Sequence, residues 1–359
     1  MSFLQDLQSN LYFSQDLNYF IRERSMEAAK NLFKLSSTPA FAGCLLVGIS
    51  SPVIGQSGNS IDKIFETAAG SSVSSYTDSN GVELDDWSLN YEYDSKNNFK
   101  AKVSAHHHYV TAGTNRDKYD GNEITAKFGK KLNDSIEAEI NVGAIYLDNR
   151  RTDNRTNHTK YKAKIMTKPT ANSTISLEHG DDLLFREAII EDDNNRLLSG
   201  KTTKLSGTWR VAKRYIAEAS TQHRKLSDGN ASNHHRAAVL YGISPDIPWI
   251  WAGVEAQSLS YDQRKTNYWS PTEYEAYALV ANGNFKVTKN LSVNVNGNIN
   301  RTKEENHEWA SGYSAGVGAD YTLSENTRIK ADAIYLKSTR EKVDWDSSRI
   351  GASFEVSHY

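Results

Sequence analysis

From about residue 71 the chain alternates in polarity. The stretch "SIEAEINVGAIYL" puts Ile136, Ala138, Ile140, Val142, Ala144 and Tyr146 on one parity, with Glu137, Glu139 and Asn141 on the other. "TKYKAKIM" sets Tyr161, Ala163 and Ile165 against Lys160, Lys162 and Lys164, and "FKAKVSAHHHY" sets Phe99, Ala101, Val103 and Ala105 against Lys100, Lys102 and Ser104. "NLSVNVNGNINR" is the clearest case, with Leu291, Val293, Val295 and Ile299 backed by Ser292, Asn294, Asn296, Asn298 and Asn300. Successive side chains of a strand point to opposite faces, so each segment separates two environments. No stretch beyond residue 71 carries a convincing helical period.

The apolar parity is built mostly of Ala, Gly and Val, with Tyr, Trp or Phe near one end. A packed sandwich core favours large interdigitating residues, whereas a lipid-facing band flanked by aromatic girdles has the composition seen here. Connections add an independent sign. Short turns fall at 95–98, 131–134, 168–172, 211–213, 244–248, 287–290 and 323–326. Longer charged connections at 113–121, 149–157, around 192–196, 227–232, 262–271, 302–308 and 340–345 alternate with them. That alternation is the habit of outer-membrane barrels. It predicts an all-β, transmembrane, antiparallel up-and-down barrel of about 16 strands, the first being "SSVSSYTD" (71–78). The segment "EHGDDLLFREAII" leaves room for one hairpin more or fewer, hence 14 or 18 as alternatives. Tyr359 is aromatic but falls off the stripe of Ile350, Ala352, Phe354 and Val356.

Composition agrees without deciding. The mean hydropathy is −0.64 and only 38% of the 359 residues are hydrophobic, yet there are 19 Tyr, 7 Trp and 11 Phe. The formal net charge of −2 gives no basic surplus, so nucleic acid is not an expected partner. One cysteine, Cys44, excludes an intrachain disulfide. No run of 18 apolar residues exists to form a transmembrane helix, but a barrel has no need of one. Residues 1–55 read as an N-terminal extension with a signal peptide. "PAFAGCLLVGISSPVI" (39–54) suits its apolar core, and initiation at Met26 gives it an n-region of ordinary length. Residues 1–25 fit an amphipathic helix. Residues 56–70 read as a short periplasmic segment and 71–359 as the barrel.

Inward projection of the polar parity gives the expected solute path. Its N-terminal wall carries Lys100, Lys102, Lys127, Lys160, Lys162, Lys164 and Lys204 among Glu137, Glu139, Asn141, Glu178 and Glu218. The C-terminal wall offers Trp251, Glu255, Asn294, Asn296, Asn298, Asp320, Asp332 and Glu355. Mixed signs argue against a strong ion selector. Amides and carboxylates pair with sugar hydroxyls, and Trp251 and Tyr261 are candidates to stack on sugar rings. His106 and His108 share the lumen parity, two imidazoles without a placeable third metal ligand; His107 points the other way. No Gly-x-Ser-x-Gly nucleophile motif and no distinctively spaced acidic pair is present, so no catalytic residue, metal or cofactor is expected.

The region "DIPWIWAGVEAQSLSYDQRKTNYWSPTEYEAYALVANGNF" (246–285) places a long Tyr-Trp-Ser-Pro loop between two strands, ahead of C-terminal hairpins. In this it resembles the exopolysaccharide-export barrels of the cellulose and poly-N-acetylglucosamine secretion systems. The resemblance covers residues 80–359 in architecture and is specific around 246–285. It implies a 16-stranded outer-membrane barrel conducting a growing polysaccharide, with periplasmic export machinery as a partner. That family carries a long tetratricopeptide-repeat region ahead of its barrel; here there is room for one or two helices, which leaves such coupling open. The expected partners are therefore outer-membrane lipid and a polysaccharide or small hydrophilic solute. The alternatives are a general or solute-specific diffusion porin, a non-conducting surface anchor or scaffold, and a soluble β protein.

Overall fold

The computed structural model describes residues 67–359, apart from 80, 96–98, 113–116, 153, 186–195, 245–248, 341–342 and 359. The expected signal peptide, the Met26 start, most of the 56–70 segment and the phase of Tyr359 lie outside the described residues. Sixteen strands follow in order. They are β1 (Thr67–Asp78), β2 (Glu83–Ser95), β3 (Phe99–Ala112), β4 (Asp117–Asn133), β5 (Ile136–Asn149), β6 (Arg155–Thr170), β7 (Ser173–Leu183) and β8 (Ser199–Ala212). The second half comprises β9 (Tyr215–Leu226), β10 (Ala231–Ser244), β11 (Trp249–Tyr261), β12 (Tyr274–Lys286), β13 (Leu291–Glu304), β14 (Ala310–Ser324), β15 (Thr327–Arg340) and β16 (Val343–His358). Each pairs antiparallel with its sequence neighbour, and β1 closes on β16 from Thr67↔His358 to Asp78↔Ser347. The count of 16 holds, because β7 pairs directly with β8 within the closed barrel.

The apolar parity faces outward. Ile299 is 68% exposed, Ile350 66% and Leu279 63%, and they stand among many other exposed Val, Leu, Ile, Tyr and Phe side chains. A continuous apolar belt of this kind is stable against lipid and not against water, which removes the soluble alternative. Aromatic rings mark both rims of the belt: Tyr313 lies 5.9 Å from Tyr335 at one edge, and Tyr215 lies 5.1 Å from Tyr241 at the other. On β14 the belt runs from Tyr313 to Tyr321. That is about 27 Å of strand at ~3.4 Å per residue, or about 21 Å along the membrane normal at a tilt of ~40°.

One end of the barrel carries turns of two to four residues, such as 134–135, 171–172 and 325–326. The other end differs from the expectation of uniformly longer loops. Only the β7–β8 connection (184–198) and the β11–β12 connection (262–273) are long; the rest at that end span two to five residues. Strands continue past the apolar belt, where outward side chains turn polar: His107 Nδ1 lies 3.0 Å from Asn122 Oδ1, and Arg150 pairs with Asp120. Backbone pairing therefore absorbs residues that the charge pattern assigns to loops.

Candidate functional site: the lumen and its mouth

The buried side chains lie inside the barrel, concentrated at the long-loop end of the N-terminal half. Leu84, Val110, Tyr119, Ile145 and Leu147 project inward from β2–β5 and meet Leu183 at the end of β7 and Phe185 and Leu197 from the β7–β8 connection. Ile145, Leu147 and Val110 are fully buried. Beneath them lies a buried polar cluster. His108 Nε2 is 2.7 Å from Glu123 and its Nδ1 is 3.3 Å from Asp86; Lys160 is 3.6 Å from Glu123 and 3.8 Å from Asp182. His106 sits 3.4 Å from Asp86, and the Phe185 ring packs 5.3 Å from His108. The two histidines weighed as metal ligands thus engage carboxylates of neighbouring strands. An apolar lid over a satisfied charge network fills this side of the mouth.

The Tyr-Trp-Ser-Pro loop is tied by hydrogen bonds to the β9–β10 and β13–β14 hairpins on its two flanks. On one side Asn230, almost fully buried, donates through Nδ2 to the Gln263 carbonyl and to Tyr268 Oη (2.8 and 2.9 Å). Tyr268 donates in turn to Asp228 at 3.0 Å. Burial raises the Tyr268 phenol pKa, and the bond it donates to Asp228 adds to the rise. On the other side Arg264 pairs with Glu304 and Glu305, Trp269 donates to Glu304 at 3.2 Å, and the Thr272 amide donates to Glu305 at 3.1 Å. The Thr272 amide first, then the Thr272 hydroxyl and Arg264, lower the Glu305 pKa. Ser270 Oγ accepts from the Lys265 amide and donates to the Tyr268 carbonyl, which sets the curl of the loop.

Below the mouth the two walls differ. The N-terminal wall is laced by cross-strand ion pairs: Lys100–Asp94 (2.8 Å), Lys102–Glu92 (3.3 Å), Lys127–Glu139 (2.7 Å) and Lys162–Glu178 (2.8 Å). On β10, Arg236 binds both Glu218 and Glu255. Along the C-terminal wall the asparagines of β13 lie over glycines of β14. A Cβ on Gly318 would meet Asn294 Oδ1 at 2.7 Å, one on Gly316 would meet Asn296 at 2.7 Å, and one on Gly312 would meet Asn300 at 2.6 Å. Asn298 faces Ser314 and donates to its hydroxyl at 2.8 Å. Asp332 lies in the same way over Gly351 and accepts from Arg349. The result is a smooth amide surface with little side chain standing into the lumen.

Strand parity puts all sixteen expected path residues on the lumen face, but in different settings. Lys100, Lys102, Lys162, Glu139, Glu218, Glu255, Asp320 and Asp332 are ion-paired, Asp320 with Arg328 at 3.5 Å. Lys164, Glu137 and Asn141 lie beside them in register on β5 and β6. Asn294, Asn296 and Asn298 line the smooth wall, and Glu355 lies opposite Arg328 on β15. Trp251 departs from the expectation of a stacking platform. It is 2% exposed and packs against Ile216, Leu240 and Val280, so its faces are covered by protein. Tyr261 packs edge-on against Tyr268. Inspection of the sequence missed Arg236, the acidic partners of His108, and the inward-facing Leu84, Val110, Ile145 and Leu147. These apolar residues on the polar parity all fall near the long-loop end, which was the available signal.

A closed antiparallel barrel with an apolar belt and aromatic rims is a transmembrane barrel of the bacterial outer membrane. Beyond that class, no family model and no curated protein matches the sequence. Among solved structures the chain is similar to a bacterial polysaccharide outer membrane secretin, with a TM-score of 0.68 and 10% identity, over 82% of this chain and 98% of that one. The CymD monoaromatic hydrocarbon channel and OccK11 (OpdR) of Pseudomonas aeruginosa each match at 10% identity over 82% of this chain, covering 89% and 96% of theirs, with a TM-score of 0.43. At such identities the likeness is one of fold, and the first of these agrees with the resemblance read from residues 246–285.

Proposed function

We propose that the chain is a non-enzymatic outer-membrane pore whose lumen passes a polysaccharide. The observation that carries the reading is the strip of Asn294, Asn296, Asn298 and Asn300 laid over the glycines of β14. Sugar hydroxyls both donate and accept, and an amide carries both kinds of group. Asn294 and Asn296 hold theirs on the lumen face, whereas Asn298 donates to Ser314 and accepts from Asn300. A row of amide rungs lets a chain advance by exchanging one set of weak contacts for the next. The barrel likeness to a polysaccharide outer membrane secretin supports the same reading. Such a pore requires export through an N-terminal signal, for which initiation at Met26 and a mature chain starting near Gln56 are the natural reading. Mass spectrometry of the exported N-terminus tests that point.

The test of the pore is planar-bilayer conductance of the purified chain with and without oligosaccharides. Conductance is expected, with sugar-dependent block that weakens when Asn294, Asn296 and Asn298 are replaced together by alanine. Conductance without any sugar effect in either protein would leave a diffusion porin. Absence of conductance would favour the anchor reading, for which the apolar lid around Phe185 is the specific observation.

A further inference from the structure

On the N-terminal wall, lumen-facing Lys164 and Lys204 have no ion-pair partner of their own among the described residues. Strand register places Lys164, Glu178, Lys204 and Gln222 in one row across β6–β9, with Lys162, Gly180, Thr202 and Arg224 in the next row toward the mouth. Glu178 is engaged by Lys162 at 2.8 Å, and Glu139, beside Lys164 on β5, is engaged by Lys127 at 2.7 Å. Glu218 and Glu255 are both held by Arg236. Among the described residues no carboxylate lies within ion-pair distance of Lys164 or Lys204, in contrast to Lys100, Lys102, Lys127 and Lys162 on the same wall. Both side chains are part-exposed on the lumen face.

The unmatched pair sits two strands apart, about 10 Å at ~4.8 Å per strand. An extended chain with a carboxylate on each sugar can reach both ammonium groups along the row, on either side of Glu178, which lies between them in register. Water in a confined lumen screens less than bulk water, so the attraction persists at moderate salt. Resting on the pore reading, we infer that Lys164 and Lys204 form a binding site for carboxylate-bearing sugar chains, and that the conduit prefers acidic over neutral polymer. The amide strip of β13 would then hold the hydroxyl groups, and the two lysines the charge.

The experiment uses the purified full chain in two assays. In bilayers, galacturonate oligomers, neutral cello-oligomers of equal length and monomeric galacturonate are compared as blockers. In detergent, calorimetry measures binding of the same three. The acidic oligomer is expected to act at a concentration at least about tenfold lower than either of the others. The double variant Lys164→Gln/Lys204→Gln should lose that preference, while Lys164→Arg/Lys204→Arg should keep it. Unchanged heat-modifiable mobility on gels shows that both variants fold. Equal potency of acidic and neutral oligomers, or a preference that survives in the glutamine variant, overturns the inference. Monomer as potent as oligomer reduces the site to a small-anion site and overturns it too. Because calorimetry does not need an open channel, absence of conductance breaks the pore reading alone.

Discussion

The N-terminal and C-terminal walls of this lumen share strand geometry and pairing but handle space in opposite ways. Strands β2–β7 fill it, with Leu84, Val110, Ile145, Leu147 and Phe185 over the Asp86–His108–Glu123–Lys160 network. Strands β13 and β14 keep it clear by laying each amide over a glycine or beside a serine. The first wall is a protein interior displaced into a barrel, in which side chains are committed to one another. The second is less filled: Asn294 stands exposed over Gly318, while Asn298 and Asn300 bond to Ser314 and to each other. Stability and function should therefore separate by wall.

The largest effect is expected on the filled wall. Glu123→Ala removes the carboxylate shared by His108 and Lys160 and leaves them the longer contacts to Asp86 and Asp182, a change expected to cost up to about 3–5 kcal/mol. The urea midpoint of the barrel in detergent should fall accordingly; an unshifted midpoint would show that the cluster does not hold the wall. Phe185→Ala should cost about 3 kcal/mol through the cavity it leaves. In addition it should raise single-channel conductance by thinning the lid, and a loss of stability without any gain in conductance would place the current elsewhere. Tyr268→Phe leaves buried Asn230 and Asp228 short of a partner and should cost about 1–3 kcal/mol, read as earlier protease cleavage within 262–273.

A smaller effect is expected with pH, and it has two opposite edges at the same loop. The Glu305 pKa is lowered in the folded chain, so its support is present above the ordinary carboxylate range and is lost as pH falls through the folded value. The Tyr268 pKa is raised, so its support is present below about pH 10 and is lost as pH rises further. Hydrogen exchange of residues 262–273 should thus be slowest near neutral pH once intrinsic rates are divided out; monotonic protection across the range would contradict both anchors. The smallest effect on stability belongs to the clear wall. Replacing Asn294, Asn296 and Asn298 with alanine should move the urea midpoint little while altering sugar block. A large shift would mean that the amides are structural after all.

Much of the fold was legible because a period of two is hard to counterfeit over twelve or more residues. Outward Val293, Val295 and Ile299 and inward Asn294, Asn296 and Asn298 were assigned from parity alone, as were the short turns. Loop length was less legible, since residues 117–121 fall in a stretch whose charge reads as a connection yet pair as strand above the lipid belt. The lid was not read because Leu84, Val110, Ile145 and Leu147 interrupt the polar parity at only one or two positions on each of β2, β3 and β5, and only register shows that they meet. Trp251 was misjudged for the same reason: parity places it in the lumen, but nothing local shows that Ile216, Leu240 and Val280 converge on it. Ion-pair identities, and hence the two spare lysines, depend on which strands adjoin and on how far each is shifted.

The seam between β1 and β16 has a consequence for biogenesis. Thr67 pairs with His358, so a ladder of twelve register positions joins opposite ends of the described chain. Until the last strand is in place, the edge of β1 offers unpaired amides and carbonyls, and so does the growing edge opposite it. The entropic cost of bringing such distant partners together falls on a single late step, and loop closure of that span is slow compared with formation of the neighbouring hairpins. In a lipid phase an open edge is intolerable. Insertion of this barrel must therefore be coupled to seam closure, which makes the pairing of residues 67–78 with 347–358 the step at which assembly is committed.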